Sequence, residues 1–202
     1  MHTAIPATAT FARWGRHAAG LAASTATLLV LGACSTSGGT MVVAAKAFDQ
    51  SPLPAAVQVP AGHRVVLETT TRGGEITYEC REKADMPGQT AWVFVGPRAE
   101  LVDRAGAGVG QYFGPPATWR ANDGSQFTAT QLAVAPGGEG NLPLQLVKAN
   151  PAQGAGAWTG VTHVQRVALK GGVAPASACS VANKGAHEVV KYQADYIFWK
   201  AA

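Results

Sequence analysis

Glu75-Ile76-Thr77-Tyr78-Glu79-Cys80-Arg81 is the stretch that decides the fold class. Ile76, Tyr78 and Cys80 alternate with Glu75, Thr77, Glu79 and Arg81. Apolar and polar residues trading places at a period of two mark a half-buried antiparallel strand, not a helix. The same alternation points Cys80 inward. Residues 65–71 are rich in β-branched side chains and precede this strand, with Arg72-Gly73-Gly74 between them, which reads as a hairpin.

Working outward, the pattern persists. Ala91-Trp92-Val93-Phe94-Val95 is apolar on both faces and stops at Gly96-Pro97, so it reads as a central strand covered on two sides. Gln111-Tyr112-Phe113 is a short strand ended by Gly114-Pro115-Pro116, and Asn122-Asp123-Gly124 is a tight-turn signal. Strands are expected over residues 125–134, 142–147 and 161–169, the last with Val161, His163, Gln165, Val167 and Leu169 on one face. The final strand, residues 191–199, puts Tyr192, Ala194, Tyr196 and Phe198 on one side and Gln193, Asp195, Ile197 and Trp199 on the other. With about nine short strands, the chain reads as an all-β antiparallel sandwich or barrel. Residues 41–47 could form one short helix, and no internal repeat is visible.

Composition agrees. The 202 residues include 24 Gly and 12 Pro, which favours many turns. Charged residues are 14% and hydrophobic residues 47%, which excludes a disordered charged tail. The net charge of +4 is too small and too scattered for a nucleic-acid footprint.

Residues 1–33 read as an export leader. Arg13, Arg16 and His17 form a basic region, and an uncharged stretch of small and apolar residues follows, short for a membrane span. It ends in Leu31-Gly32-Ala33-Cys34, which resembles the lipobox of bacterial lipoproteins; an ordinary cleaved signal is the other reading. The resemblance implies acylation of Cys34, and two acyl chains already anchor a protein stably. Ser35 after the cysteine implies the outer membrane. Residues 34–56 are then a tether and residues 57–202 the β domain.

Cys80 and Cys179 remain. In an oxidising compartment two such cysteines are expected to pair. Closing a loop of about 100 residues is worth at most about 4.7 kcal/mol. A reactive thiol or a metal ligand is the alternative, without a CxxC or a nearby His at ligand spacing to support it.

An ordered set of short segments then identifies a resemblance. It runs through Val59-Pro60-Ala61-Gly62, Tyr78-Glu79-Cys80, Trp92-Val93-Phe94, Leu101-Val102-Asp103 and Gly110-Gln111-Tyr112-Phe113-Gly114-Pro115. It continues through Trp119, Asp123-Gly124-Ser125, Val164-Gln165-Arg166-Val167, Gly171-Gly172-Val173-Ala174-Pro175, Cys179 and Ala194-Asp195-Tyr196-Ile197-Phe198. Over residues 57–199 the chain resembles an uncharacterised family of secreted proteins shared by bacteria and filamentous fungi, catalogued only as a domain of unknown function. Leu142-Pro143-Leu144-Gln145 departs from it, where Pro followed by Trp is expected. The resemblance lends no catalytic residues.

The residues themselves carry few chemical motifs. There is no GxSxG and no HExxH, and the Gly106 and Gly154 runs lack the third glycine and the βαβ setting of a dinucleotide loop. No cofactor is expected. Ser125 reads as a turn residue. His63, His163 and His187 are scattered, so no metal site is expected unless they converge in space. Glu75 and Glu79 lie too far apart on one strand for a glycosidase pair, while Asp103, Asp123 and Asp195 could approach across strands. Asp195 is expected either to pair with Arg166 in the core or to be a functional carboxylate.

Tyr112, Phe113, Trp119, Arg120 and Asp123 form the candidate binding face. Exposed aromatics there could stack on a sugar or anchor a partner; a core Trp119 is the alternative. The resulting expectation is a non-catalytic envelope module that binds a glycan or an envelope protein. The alternative is a secreted hydrolase acting through carboxylates.

Overall fold

The computed structural model describes residues 48–202. The leader, Cys34, residues 34–47 of the tether and the short helix considered at 41–47 lie outside the described residues. Eight strands form a closed barrel in which every neighbour is consecutive and antiparallel and β8 closes on β1. They are β1 (His63–Lys83), β2 (Met86–Asp103), β3 (Gly108–Phe113), β4 (Thr118–Ala121), β5 (Gln126–Ala135), β6 (Leu144–Ala149), β7 (Val161–Gly171) and β8 (His187–Ala201). Closure leaves the barrel no free edge along its wall.

Two expected strand breaks are not breaks. Arg72-Gly73-Gly74 does not turn the chain; β1 runs through it with a register shift between Arg72 and Glu75. Gly73 has φ 61°. A Cβ on Gly74 would meet the Tyr192 carbonyl oxygen at 2.3 Å, so the pair of glycines bends the strand against β8. The hairpin turn lies further on, where Lys83 pairs with Met86. Likewise β2 continues through Gly96-Pro97. Proline is tolerated there because β3 pairing begins only at Arg98, opposite Phe113, and leaves that edge of β2 open.

The first half of β2 is therefore not a central strand covered on both faces. With the end of β1 it makes an arm beyond the barrel wall, and Phe94 is 50% exposed on it. The β7–β8 loop lies along this arm. Trp92 Nε1 donates to the Ser177 carbonyl at 2.8 Å, and Thr90 Oγ1 to that of Cys179 at 2.8 Å. Cys80 and Cys179 are bonded, with Cα atoms 5.4 Å apart, as the inward direction of Cys80 implied.

There are two cores. The barrel interior holds Ile76, Tyr78, Leu101, Tyr112, Trp119, Phe127, Trp158, Val164, Tyr192, Tyr196 and Phe198. Eight strands leave an interior that side chains just fill, and here aromatics fill it. Trp119 stacks on Phe127 at 5.2 Å, and Trp158 on Phe198 at 4.4 Å. The second core lies outside the wall, where Val57, Val59 and Leu146 pack with Val167, Ile197 and Trp199. Phe48 and Leu53 join it, so residues 48–56 belong to the packed domain and not to a tether.

β8 alternates as expected, Tyr192, Ala194, Tyr196 and Phe198 inward, Ile197 and Trp199 outward. β7 does not. Register shifts between Val161 and His163 and between Val167 and Lys170 move its side chains across the wall, the second around Ala168 at φ 51°. Val161, Val164 and Leu169 face inward, while Gln165 and Val167 face the outer core. A one-residue slip reverses faces, so no single side holds all five expected residues.

Candidate functional site

The candidate aromatic face divides across the barrel wall. Tyr112 and Trp119 point inward and are buried, Trp119 to 1% exposure, so neither can offer its ring to a ligand outside. The expectation of an exposed Trp119 is corrected, and the core alternative holds. The short strands β3 and β4 pair Tyr112 with Trp119, which puts both on the concave side.

Asp123 is also accounted for within the fold. Its carboxylate accepts from the backbone N–H and hydroxyl of Ser125, at 2.9 and 2.7 Å, and from the Ala157 N–H at 2.7 Å. The hydroxyl bond to Ser125 leads these contacts in holding the acid below its usual range. Buried Ser125 in turn accepts the Trp158 N–H at 3.3 Å. The Asn122-Asp123-Gly124 turn thus secures the β6–β7 loop, which inserts Trp158 into the interior. No sequence pattern marked Trp158; it lies in a Gly- and Ala-rich loop.

Phe113 and Arg120 face outward. Two cross-strand rows run over that outer surface. In the first, Arg72 is opposite Glu100, Glu100 opposite Gln111, and Gln111 opposite Arg120. In the second, Lys191 is opposite Glu75, Glu75 opposite Arg98, and Arg98 opposite Phe113. Arg72 grips Glu100 through both Nε and Nη2, Arg120 donates to Gln111 at 3.2 Å, and Lys191 pairs with Glu75. The Arg120 guanidinium lies 4.9 Å from the centre of the Phe113 ring. The rows line an open groove of about 740 Å³ that reaches Asn122. Side-chain hydrogen bonds from Arg72 and Lys191 hold Glu100 and Glu75 below the usual carboxylate range.

The remaining candidates separate. Asp195 does not pair with Arg166; it pairs with Arg104 at 2.9 Å, and Arg104 also holds Glu68. Arg166 points to the inner side, where Asp195 does not reach. Asp103 caps its own turn, accepting from the N–H groups of Ala105 and Ala107. Glu79 is paired with Arg81, apart from Glu75 and its lysine. His63 and His163 meet edge to face at 4.7 Å, and His187 lies beside Glu79 instead. Burial, then the neighbouring His63, lowers the pKa of His163. Among the described residues no group of three or more His, Cys, Asp or Glu is placed to hold a metal.

Residues 60–200 match the family described as Protein of unknown function (DUF3455). The chain belongs to this family. No curated protein matches it, and no solved structure matches it. The DUF3455 match covers all eight strands but for the last residue of β8. It therefore includes both groove rows and the barrel interior.

Proposed function

We propose that this DUF3455 barrel is a non-catalytic binding module of the cell envelope, anchored through acylated Cys34 at the outer membrane, with a glycan carrying acidic groups as its ligand. The observation that carries this reading is the groove. Arg72, Arg98 and Arg120 line it beside Gln111 and Asn122, with the Phe113 ring held against Arg120. Planar guanidinium groups match carboxylates and phosphates through paired donors, and an aromatic ring offers a face to a sugar. The binding face of the sequence reading is thereby narrowed to Phe113 and Arg120.

Carboxylate chemistry finds less support. A glycosidase needs one carboxylic acid with a raised pKa, whereas Glu75 and Glu100 in the groove are held low by their cationic partners. Those ion pairs suit a rigid platform.

The test is a glycan-binding screen of the full-length protein, followed by calorimetry on the strongest acidic oligosaccharide. Arg120→Ala should weaken binding by about 2 kcal/mol, in the range of an interface hot spot, with unfolding unchanged. No binding to any acidic glycan, or equal binding by the variant, would sink the proposal. Mass spectrometry of the mature N-terminus tests the anchor: a first residue other than lipid-modified Cys34 refutes it.

A further inference from the structure

The barrel has a second feature, which shares Pro97 and Tyr112 with the lining of the groove. Where the β1–β2 arm leaves the wall, a cavity of about 30 Å³ is lined by Phe94, Pro97 and Leu142 together with Tyr112, Arg166, Tyr192 and Tyr196. Tyr192 is 6% exposed and Tyr196 1%. Arg166 Nε is buried and has no hydrogen-bond partner among the described residues, and the buried Tyr192 and Tyr196 hydroxyls have only loose contacts with one another and with Tyr112. Arg166 Nη2 donates to the Pro143 carbonyl at 3.0 Å, which satisfies one donor and none of the charge. None of the ion pairs among the described residues includes Arg166. The nearby Tyr78 hydroxyl is not free, because it donates to the Gly172 carbonyl at 2.8 Å.

We propose that this cavity binds the carboxylate group of a small organic monocarboxylic acid, held by Arg166, Tyr192 and Tyr196. Buried polar groups are ordinarily paired, and Arg166, partly exposed with its Nε buried, has no acidic partner among the described residues. A guanidinium has donors only, and a tyrosine hydroxyl can donate. Donors gathered around a guanidinium that has no acidic partner favour an anion over a neutral ligand and exclude a cation. A carboxylate accepts several hydrogen bonds at once and forms strong charge-assisted ones with arginine. Size narrows the choice. One water-sized group needs about 10–15 Å³, so the space takes two or three heavy atoms and not a tetrahedral phosphate or sulfate. The apolar part of the lining, which includes half-exposed Phe94, gives the carbon end of the acid a place to rest. Burial raises the pKa of Tyr112, Tyr192 and Tyr196, which keeps these hydroxyls protonated.

Thermal unfolding of the full-length protein, titrated with acetate and benzoate at fixed ionic strength, tests the proposal. Chloride and sulfate serve as controls. A ligand that binds only the folded state stabilises it in a saturable way. Saturable stabilisation by the carboxylates is expected, with at least a tenfold weaker apparent affinity in Arg166→Gln and in Tyr192→Phe. Equal stabilisation by chloride or sulfate would overturn the carboxylate assignment. Unchanged affinity in both variants, or no saturation by either acid up to 100 mM, would overturn the site. Should Arg166→Gln fail to fold, Tyr192→Phe decides. Contacts between benzoate ring protons and Phe94 in the NMR spectrum of the wild-type protein give a measurement free of mutation. Their absence at a saturating benzoate concentration refutes the placement.

Discussion

Gln165 and Arg166 are consecutive on β7 and face opposite sides of the wall. Gln165, in the outer core, is fully buried and fully paired. Its Nε2 donates to Gln50 Oε1 at 3.1 Å and to the Val57 carbonyl at 2.7 Å, and its Oε1 accepts from Trp199 Nε1 at 2.9 Å. Arg166, toward the inner core, keeps a buried Nε without a partner, and the Tyr192 and Tyr196 hydroxyls that share its cavity have only loose contacts with one another and with Tyr112. The difference separates structural polarity from polarity left available. A buried network satisfied within the chain fixes a segment, here residues 48–59, onto the barrel. A buried cluster of poorly paired donors costs stability by itself, and is retained most economically where a ligand completes it.

The largest expected effect tests whether the inner core is chiefly an aromatic packing unit. Trp119→Ala removes a ring stacked on Phe127 and close to Tyr112 and Tyr196. Loss of about 3–5 kcal/mol in a denaturation curve is expected for such a truncation. A change below about 1 kcal/mol would mean that the interior is loosely packed, and the contrast with the outer core would lose its meaning.

Gln165→Leu probes the other side. It keeps the volume close but leaves the Val57 carbonyl and Trp199 Nε1 without their partner. A buried polar group left unpaired costs about 1–3 kcal/mol, so urea unfolding should show a loss of about 2 kcal/mol. The N-terminal segment should also become the first site of proteolysis. A neutral or stabilising outcome would show that the network adds nothing beyond packing.

Asp123 gives a smaller effect that depends on pH. Its pKa is lowered in the folded state, below the reference value of 3.8. Its contribution is therefore present above the unfolded value and is lost as pH falls through the folded one. Asp123→Asn should be less stable than wild type at pH 7, and the gap should close as the solution is acidified below about pH 4. Parallel stability curves down to low pH would show that the Ser125 and Ala157 bonds do not depend on the charge. Gly156→Ala should act in the same direction, since its Cβ would lie 2.4 Å from Asp123 Oδ2.

The strand character, the inward Cys80 and the inward row of β8 were legible because strict alternation leaves one reading. The disulfide followed from the cysteine count and the expectation of an oxidising compartment. What the sequence hid is where alternation slips. Gly73-Gly74 signals a turn and a bend equally well, and only the pairing of β1 with both β2 and β8 selects the bend. The shifts in β7 place Arg166 on the inner side and Gln165 on the outer, and neither shift has a Gly or Pro at its centre to announce it. Trp119 beside a loop looks exposed until closure of the barrel turns β4 inward. Of the candidate face, Phe113 and Arg120 lie on the outer surface, while Tyr112 and Trp119 lie inside. The cavity is not legible in the sequence, where Asp195 reads as a partner of Arg166 or as a functional carboxylate; in the structure it pairs with Arg104.

The smallest expected effect is the sharpest test of the comparison. Tyr196 is 1% exposed in the inner core, and its hydroxyl has only loose contacts with those of Tyr112 and Tyr192. Tyr196→Phe keeps the ring that packs against Tyr112 and Trp119 and removes only an oxygen that lacks a well-formed hydrogen bond. In buffer free of small carboxylates it should be neutral, or stabilising by about 1 kcal/mol, because an unsatisfied buried hydroxyl costs about that much. In benzoate the order should reverse, the wild type gaining stability that the variant lacks, since the oxygen then has an acceptor to serve. Gln165→Leu should show no such reversal, because its partners belong to the chain. A Tyr196→Phe protein destabilised equally in both buffers would mean that the hydroxyl already has a structural role, and the inner core would then be no different in kind from the outer.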